Sequence, residues 1–252
     1  MSPIEPEADQ VTALGALAEP NRRRLYDVVV AHGGLISRDE AAAATGLERA
    51  TAAHHLDRLA ADGLLEFVYQ RRTGRVGPGA GRPAKLYRRS SREFDLSLPP
   101  RDYELAGQLL AEAVDLSRTS GQPVAEALDV VASAEGERLA EDLRTALDSG
   151  SAADPEAAIL DGLRRHGFEP TTLDDGTIVL TNCPFHHLAE RHTDLICGMN
   201  HCLLTAATEA FADGRLDAAL EPADDVCCVR FHPRRGRRDR GPGPAVTPAR
   251  GR

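Results

Sequence analysis

Apolar positions recur at helical spacing through the first quarter of the chain. In "VTALGALAEPNRRRLYDVVVAHGG" the break near Pro20 predicts two short helices. Leu25, Val28 and Val29 give the second its buried stripe, and Gly33 and Gly34 close it. Ser37 followed by Glu40 is a capping-box pattern that opens the helix "RDEAAAATG", which stops at Gly46. A third helix runs from about Glu48 through "RATAAHHLDRLAADG", with Ala52, Leu56 and Leu59 inward and Gly63 as its stop. Strand character follows in "LLEFVYQRR", and "AKLYRRS" can return beside it after the Gly-rich segment "TGRVGPGAGRP".

Further on, Leu105, Leu109, Val114 and Leu116 fall broadly on one side of a helix starting near Asp102. A longer helix, about Val124 to Leu147, carries Leu128, Val131, Leu139, Leu143 and Leu147 inward with charged residues opposite. Asp154 and Pro155 read as an N-cap and first helical residue, and that helix ends at Gly167. A hairpin turning at Asp175 and Gly176 sends its second strand, Thr177 to Leu180, toward Cys183. One or two helices follow from about His187 to Ala212, and the apolar "VCCVRF" forms a last strand.

Composition changes this picture mainly through the distribution of charge. Residues 1–92 hold 14 basic and 11 acidic groups, net +3; residues 93–229 hold 8 and 27, net −19; residues 230–252 hold 8 and 1, net +7. The middle repels phosphate, whereas both ends can attract it. Lys85 is the sole lysine, so the richness in Arg reflects a general bias and carries little by itself. No apolar stretch approaches the roughly 20 residues needed to cross a bilayer. The acidic start "MSPIEPEADQ" lacks the pattern of a secretion signal. A cytoplasmic protein without a membrane partner is expected, with reduced thiols suited to metal or redox chemistry.

Helix, Gly-containing turn and helix, followed by a basic hairpin, is the plan of a winged helix-turn-helix, whose second helix enters the major groove of double-stranded DNA. "TGL", "HLDRLAADGLL" and "GRPAKLYR" in this order resemble the winged-helix repressors of the ArsR/MarR kind over about residues 11–90. The resemblance implies that Arg49, Thr51, Ala53 and His54 face base edges and that His55 lies nearer the backbone. Glu48 stands where such proteins often place a Ser N-cap. In the wing, Arg75, Arg82 and Lys85 are positioned to touch phosphate or a narrow minor groove. Helix-turn-helix units usually act as symmetric dimers, so a homodimer is expected, with packing inside the chain as the other use of the middle helices.

Chemistry crowds into "NCPFHHLAERHTDLICGMNHC", which holds three of the five cysteines and four of the nine histidines. Cys202, three residues after Met199 and seven after Leu195, falls on the apolar helix face and reads as a core thiol. Cys197 lies on another face, four residues before His201, a spacing that can aim two ligands at one ion. Cys183, Cys197 and the pair Cys227 and Cys228 end different elements, and ligands from such ends can converge. On a strand, Cys227 and Cys228 would point to opposite faces, so that one of them ligates. There is no CxxC pair and no zinc-finger spacing.

"CPF", "LIC" and "CCV" behind a winged helix and a helical arm resemble the iron-sulfur-cluster-sensing repressors of the Suf assembly operon. That resemblance implies a cluster held by Cys183, Cys197 and Cys227 or Cys228, controlling DNA binding. His187, His192, His201 or Cys202 is the candidate fourth ligand, and zinc the alternative metal. The fold expected is α+β and mostly helical. It comprises a disordered start (1–10), a winged helix-turn-helix domain (11–92), a helical dimerisation arm (100–150), a small α+β sensor domain (151–232) and a disordered basic tail (233–252). The function expected is a metal-controlled transcription regulator, a repressor, and not an enzyme. The alternatives are a regulator with structural zinc or an organic effector and, in a different class, a redox enzyme with a Cys197–His201 dyad.

Overall fold

The computed structural model describes residues 7–70, 83–211, 215–223 and 226–234. The chain divides into two compact units, residues 1–96 and 97–252. It is mostly helical, with two small antiparallel sheets.

The first unit opens with α1 (Glu7–Ala16), which corrects the expected disorder of residues 1–10 from Glu7 onward. Ala13 and Ala16 are buried against the other helices, and the Gln10 side chain accepts a hydrogen bond from the Asp95 amide at 3.1 Å. These contacts give a short helix the tertiary support it lacks alone. Helix α2 (Pro20–His32) starts on Glu19, whose carboxylate accepts from the Asn21 and Arg22 amides, and ends on Gly33 at φ +68°. After the short strand β1 (Ile36–Ser37), the capping box forms as expected. Ser37 Oγ accepts from the Glu40 amide, Glu40 reaches back to the Ser37 amide, and α3 (Arg38–Thr45) runs to Gly46. Helix α4 (Arg49–Ala61) buries Ala52, Leu56 and Leu59.

Strands β2 (Leu65–Gln70) and β3 (Ala84–Arg89) pair antiparallel in the register Phe67 to Tyr87, and β3 lies centrally in the order β1-β3-β2. Leu25, Val29, Ile36, Leu56, Leu59, Leu65 and Tyr87 form the core. The tip of the expected wing, with Arg75 and Arg82, lies outside the described residues, as do residues 1–6 and 235–252.

In the second unit α6 (Val124–Asp148) packs on both α5 (Tyr103–Ser120) and α9 (Thr193–Phe211). The helices expected as a separate arm thus share one core with the Cys-bearing segment, because the apolar stripe of α6 meets α9 and α5 packs on α6. Val114 departs from its expected stripe and is exposed, since the helical period buries Ala106, Leu109 and Ala113 instead. Gly136 permits the close crossing of α6 and α9, because a Cβ there would stand 2.1 Å from the Leu203 carbonyl oxygen.

Helix α7 (Pro155–Arg165) follows, then β4 (Pro170–Thr172), β5 (Ile178–Leu180) and α8 (His186–Arg191). Strands β6 (Leu216–Leu220) and β7 (Val229–Pro233) complete an antiparallel sheet in the order β4-β5-β7-β6. No helix among the described residues is long and apolar enough to cross a membrane.

Candidate nucleic-acid interface and metal centre

With Ala52, Leu56 and Leu59 locked into the core, the helical period turns the opposite side of α4 outward. Arg49 and His54 are exposed on it, and Thr51 and Ala53 are half-buried beside them. The Arg49 guanidinium is engaged by Asp39 of α3. Glu48 takes the N-cap place with extended backbone but makes no side-chain capping bond. His55 is half-buried, its Nδ1 3.7 Å from the Glu19 carboxylate, so it faces the start of α2. Backbone hydrogen bonds from Asn21, joined by that from Arg22, hold the Glu19 carboxyl below its usual range.

Lys85 behaves differently from the free phosphate contact expected of it. Its ammonium is bonded to Asp57 of α4 and stands 3.8 Å from the centre of the Phe67 ring. Tyr87, fully buried, donates to the same Asp57 oxygen at 2.6 Å. Burial raises the Asp57 pKa, but the bonds from Lys85 and Tyr87 outweigh it and the net shift is downward. The Tyr87 phenol is pushed up by burial and by that carboxylate. The result is a brace between α4 and the hairpin, which holds the exposed helix at a fixed pitch against the sheet. Sequence spacing gave no signal for it, because Asp57 and Lys85 are joined only by the strand register.

Four of the five thiols meet in the second unit. Cys183 follows β5, Cys197 sits early in α9, and Cys227 and Cys228 lead into β7. Cys197, Cys227 and Cys228 are buried and Cys183 is half-buried. The thiols interact as a chain, Cys183 with Cys227, Cys227 with Cys228 and Cys228 with Cys197. The expectation that Cys227 and Cys228 diverge presumed a strand. Because β7 begins only at Val229, strand alternation does not apply, and both thiols turn inward.

Donors surround this chain. The amides of Phe185 and Val229 donate to the Cys183 and Cys227 sulfurs, each from two residues ahead. Asn200, 1% exposed, donates its Nδ2–H to Cys227 Sγ at 3.4 Å, and its Oδ1 has no hydrogen-bond partner. Arg101 donates to the Cys183 carbonyl oxygen at 3.3 Å and to Asn182 Oδ1, bringing positive charge beside the thiol. Contact with Cys227 and burial push Cys183 far above the ordinary thiol range, and burial raises Cys197. For Cys227 the bond with Cys183 acts downward, but contact with Cys228 and burial prevail and push it up to about 12. Such thiols are neutral until a metal displaces their protons, and N–H···S bonds then stabilise the thiolates. A soft metal or an iron-sulfur cluster fits this donor set. Asn200 carried a readable signal, a polar amide within the apolar stripe of α9.

The remaining candidates lie elsewhere. Cys197 and Cys202 exchange the environments expected for them. The buried stripe of α9 runs through Ile196, Cys197, Asn200, Leu203, Leu204 and Ala207, so Cys197 is inside, while Leu195 is exposed and Cys202 only partly buried. Cys202 Sγ donates to Asp129 Oδ1 at 3.5 Å, and burial together with that carboxylate raises its pKa to about 11. His201 Nε2 lies 3.0 Å from the Ala218 carbonyl oxygen, which turns the ring toward β6, and no hydrogen bond between Cys197 and His201 is found among the described residues. His192 is exposed at the end of α8.

His187 belongs to a group that sequence reading missed, with His186 and Glu190. Their donor atoms all lie within 4.8 Å of one another, the one such trio of His, Cys, Asp or Glu among the described residues. His187 Nδ1 is 3.1 Å from Glu190 Oε2 and His186 Nε2 is 3.4 Å from Glu190 Oε1. The hydrogen bond with His187 is the main cause that holds the Glu190 carboxyl below its usual range. The HHxxE spacing was the available signal.

Comparison with known proteins bears on the first unit. Residues 17–68, from the end of α1 to β2, match the family of the helix-turn-helix domain. Neither curated proteins nor solved structures return a match. The matched domain, together with the outward face of α4, supports a DNA-binding transcription regulator.

Proposed function

We propose that the protein is a sequence-specific DNA-binding transcription regulator of the ArsR-like winged-helix kind, a homodimeric repressor acting in the cytoplasm. Its DNA affinity is set by an iron-sulfur cluster on Cys183, Cys197, Cys227 and Cys228. The observation that carries this reading is the convergence of four thiols from three separated segments, ringed by N–H donors and by Arg101. Four sulfur donors need no histidine to complete the set.

Two observations favour a cluster over the alternatives. A tetrahedral zinc at about 2.3 Å from each sulfur requires sulfurs about 3.8 Å apart. No three of these sulfurs lie within 4.8 Å of one another, a spread that suits a larger group. An organic effector needs a pocket of several hundred Å³. Two apolar cavities among the described residues of this unit, one beside Leu143 and one beside His166, hold about 10 Å³ each, room for roughly one water.

In DNA binding, α4 presents Arg49, Thr51, Ala53 and His54 to base edges, and Arg49 exchanges Asp39 for the nucleic acid. The Asp57–Lys85–Tyr87 brace holds that helix in place. A cluster supplies a charge and a redox state that change with iron and oxidants. The thiols release protons as they ligate, Asn200 and the Phe185 and Val229 amides orient and stabilise the sulfurs, and Arg101 offsets negative charge. Control requires that the loaded state favour one dimer conformation over another.

The test is anaerobic purification with an absorption spectrum and iron, sulfide and zinc analysis, followed by DNA binding before and after metal removal. A coloured protein whose DNA affinity falls or rises on removal supports the reading. A colourless, metal-free protein with unchanged DNA binding overturns it.

A further inference from the structure

Outside the thiol centre, α8 carries a donor set of different chemistry. His186 and His187 open the helix and Glu190 follows at the spacing that returns to the same side, so two imidazoles and a carboxylate meet at one turn. We propose that His186, His187 and Glu190 form a surface site for a borderline divalent transition-metal ion, of the Zn²⁺, Co²⁺ or Ni²⁺ class, independent of the thiol centre.

Geometry supports this in three ways. First, a tetrahedral ion with N and O ligands at about 2.0–2.1 Å sets donors about 3.3 Å apart. His187 Nδ1 stands 3.1 Å from Glu190 Oε2 and His186 Nε2 stands 3.4 Å from Glu190 Oε1, so each imidazole lies near that spacing from one carboxylate oxygen, and the three donors all lie within 4.8 Å of one another. Second, the turn is anchored. The His186 amide donates to the Cys183 carbonyl oxygen, the Leu188 and Ala189 amides donate to Phe185, and Leu188 and Ala189 pack on the core. The Tyr103 ring stacks on His187 with centroids 6.5 Å apart and planes 27° from parallel, which restrains that imidazole. Third, all three side chains are exposed, so an ion enters without opening the fold and keeps free positions for water or a further ligand.

The donors also select the ion. Two neutral imidazoles suit zinc, cobalt and nickel, whereas Mg²⁺ and Ca²⁺ require mainly oxygen ligands. With no sulfur present, the site does not compete for the soft metal or cluster that the thiols would take.

The test is titration of Co²⁺ into the full-length protein under anaerobic conditions, read by calorimetry and visible absorption, with Zn²⁺ as competitor. The wild-type protein is expected to take up one equivalent that shows weak ligand-field bands without the intense thiolate-to-cobalt band, and Zn²⁺ is expected to displace it. The double variant His186→Ala/His187→Ala should lose this equivalent. Glu190→Gln should weaken it at least about tenfold, since even outer-shell losses cost 10–100-fold. Circular dichroism should stay unchanged in both, because the substituted side chains are exposed. An equal stoichiometry and affinity in the variants, or uptake accompanied only by the thiolate band, overturns the proposal. Iron and sulfide content of the isolated protein reports separately on the thiol centre, so the two readings fail independently.

Discussion

The two units place their chemistry in opposite environments. In the first, an apolar core carries a charged surface, and several exposed cations on it are paired: Arg49 with Asp39, Arg58 with Asp62, Arg88 with Glu66. In the second, the thiol chemistry is inside, with Cys197, Cys227, Cys228 and Asn200 buried and Cys183 half-buried beside them. The difference follows from what each must bind. A polyanion is met at the surface, where paired cations exchange one anionic partner for another at small cost. A soft metal requires converging donors, shielded from water and protonated until it arrives.

The largest effects should come from the interior of the second unit. Cys227→Ser should remove nearly all bound iron and sulfide, because Cys227 contacts two other thiols and receives both the Val229 and Asn200 donors. Metal analysis and the absorption spectrum check this, and DNA binding should then no longer respond to metal removal. Retention of a full complement of metal would move the centre elsewhere. In the first unit, Leu56→Ala removes a fully buried side chain from the core beneath α4 and should lower stability by about 2–5 kcal/mol. Thermal unfolding should show that loss together with impaired DNA binding, while metal content stays at the wild-type level. A parallel loss of metal would break the separation drawn between the units.

How much was readable from sequence also divides along this line. In the first unit local signals agreed with tertiary structure: the Ser37 and Glu40 box, the stops at Gly33, Gly46 and Gly63, and the Leu56 and Leu59 stripe all form as their spacing implies. What stayed hidden was the Asp57, Lys85 and Tyr87 brace, which depends on strand register. In the second unit the elements were readable but their faces were not. The stripe of α9 is wide enough that Leu195 and Met199 pointed to Cys202 as the buried thiol, whereas the packing of α6 selects the face with Cys197. Cys227, which contacts Cys183, lies over 40 residues downstream, so the ends of the elements suggested that the thiols converge but not which thiol meets which.

A smaller effect separates the orientation of the thiols from their identity. Asn200→Ala deletes the donor to Cys227 and, with it, the unpartnered Oδ1. Losing the buried orphan partly offsets the lost bond, so folding should change little. Affinity for the metal or cluster should fall about 10–100-fold, as for other groups that orient a ligand, and competition with a chelator measures it. Unchanged affinity would mean that Asn200 only fills the α9 stripe.

The smallest effect tests which role Lys85 plays on the surface of the first unit. A lysine contacting phosphate contributes about 1 to the slope of log affinity against log salt. Lys85 is instead tied to Asp57 and the Phe67 ring, so Lys85→Ala should leave that slope unchanged and lower stability by no more than about 1 kcal/mol, the pair being screened by solvent. The pH dependence gives the sign. The folded-state pKa of Asp57 is depressed, so its contribution is present above the ordinary carboxylate pKa and is lost as pH falls through the folded value. Lys85→Ala removes one of the two bonds that depress it, so the acid limb of the stability curve should flatten in the variant relative to the wild type. Tyr87 still donates to Asp57, so part of the dependence should remain. A salt slope reduced by about 1 with an unaltered acid limb would instead assign Lys85 to the nucleic acid.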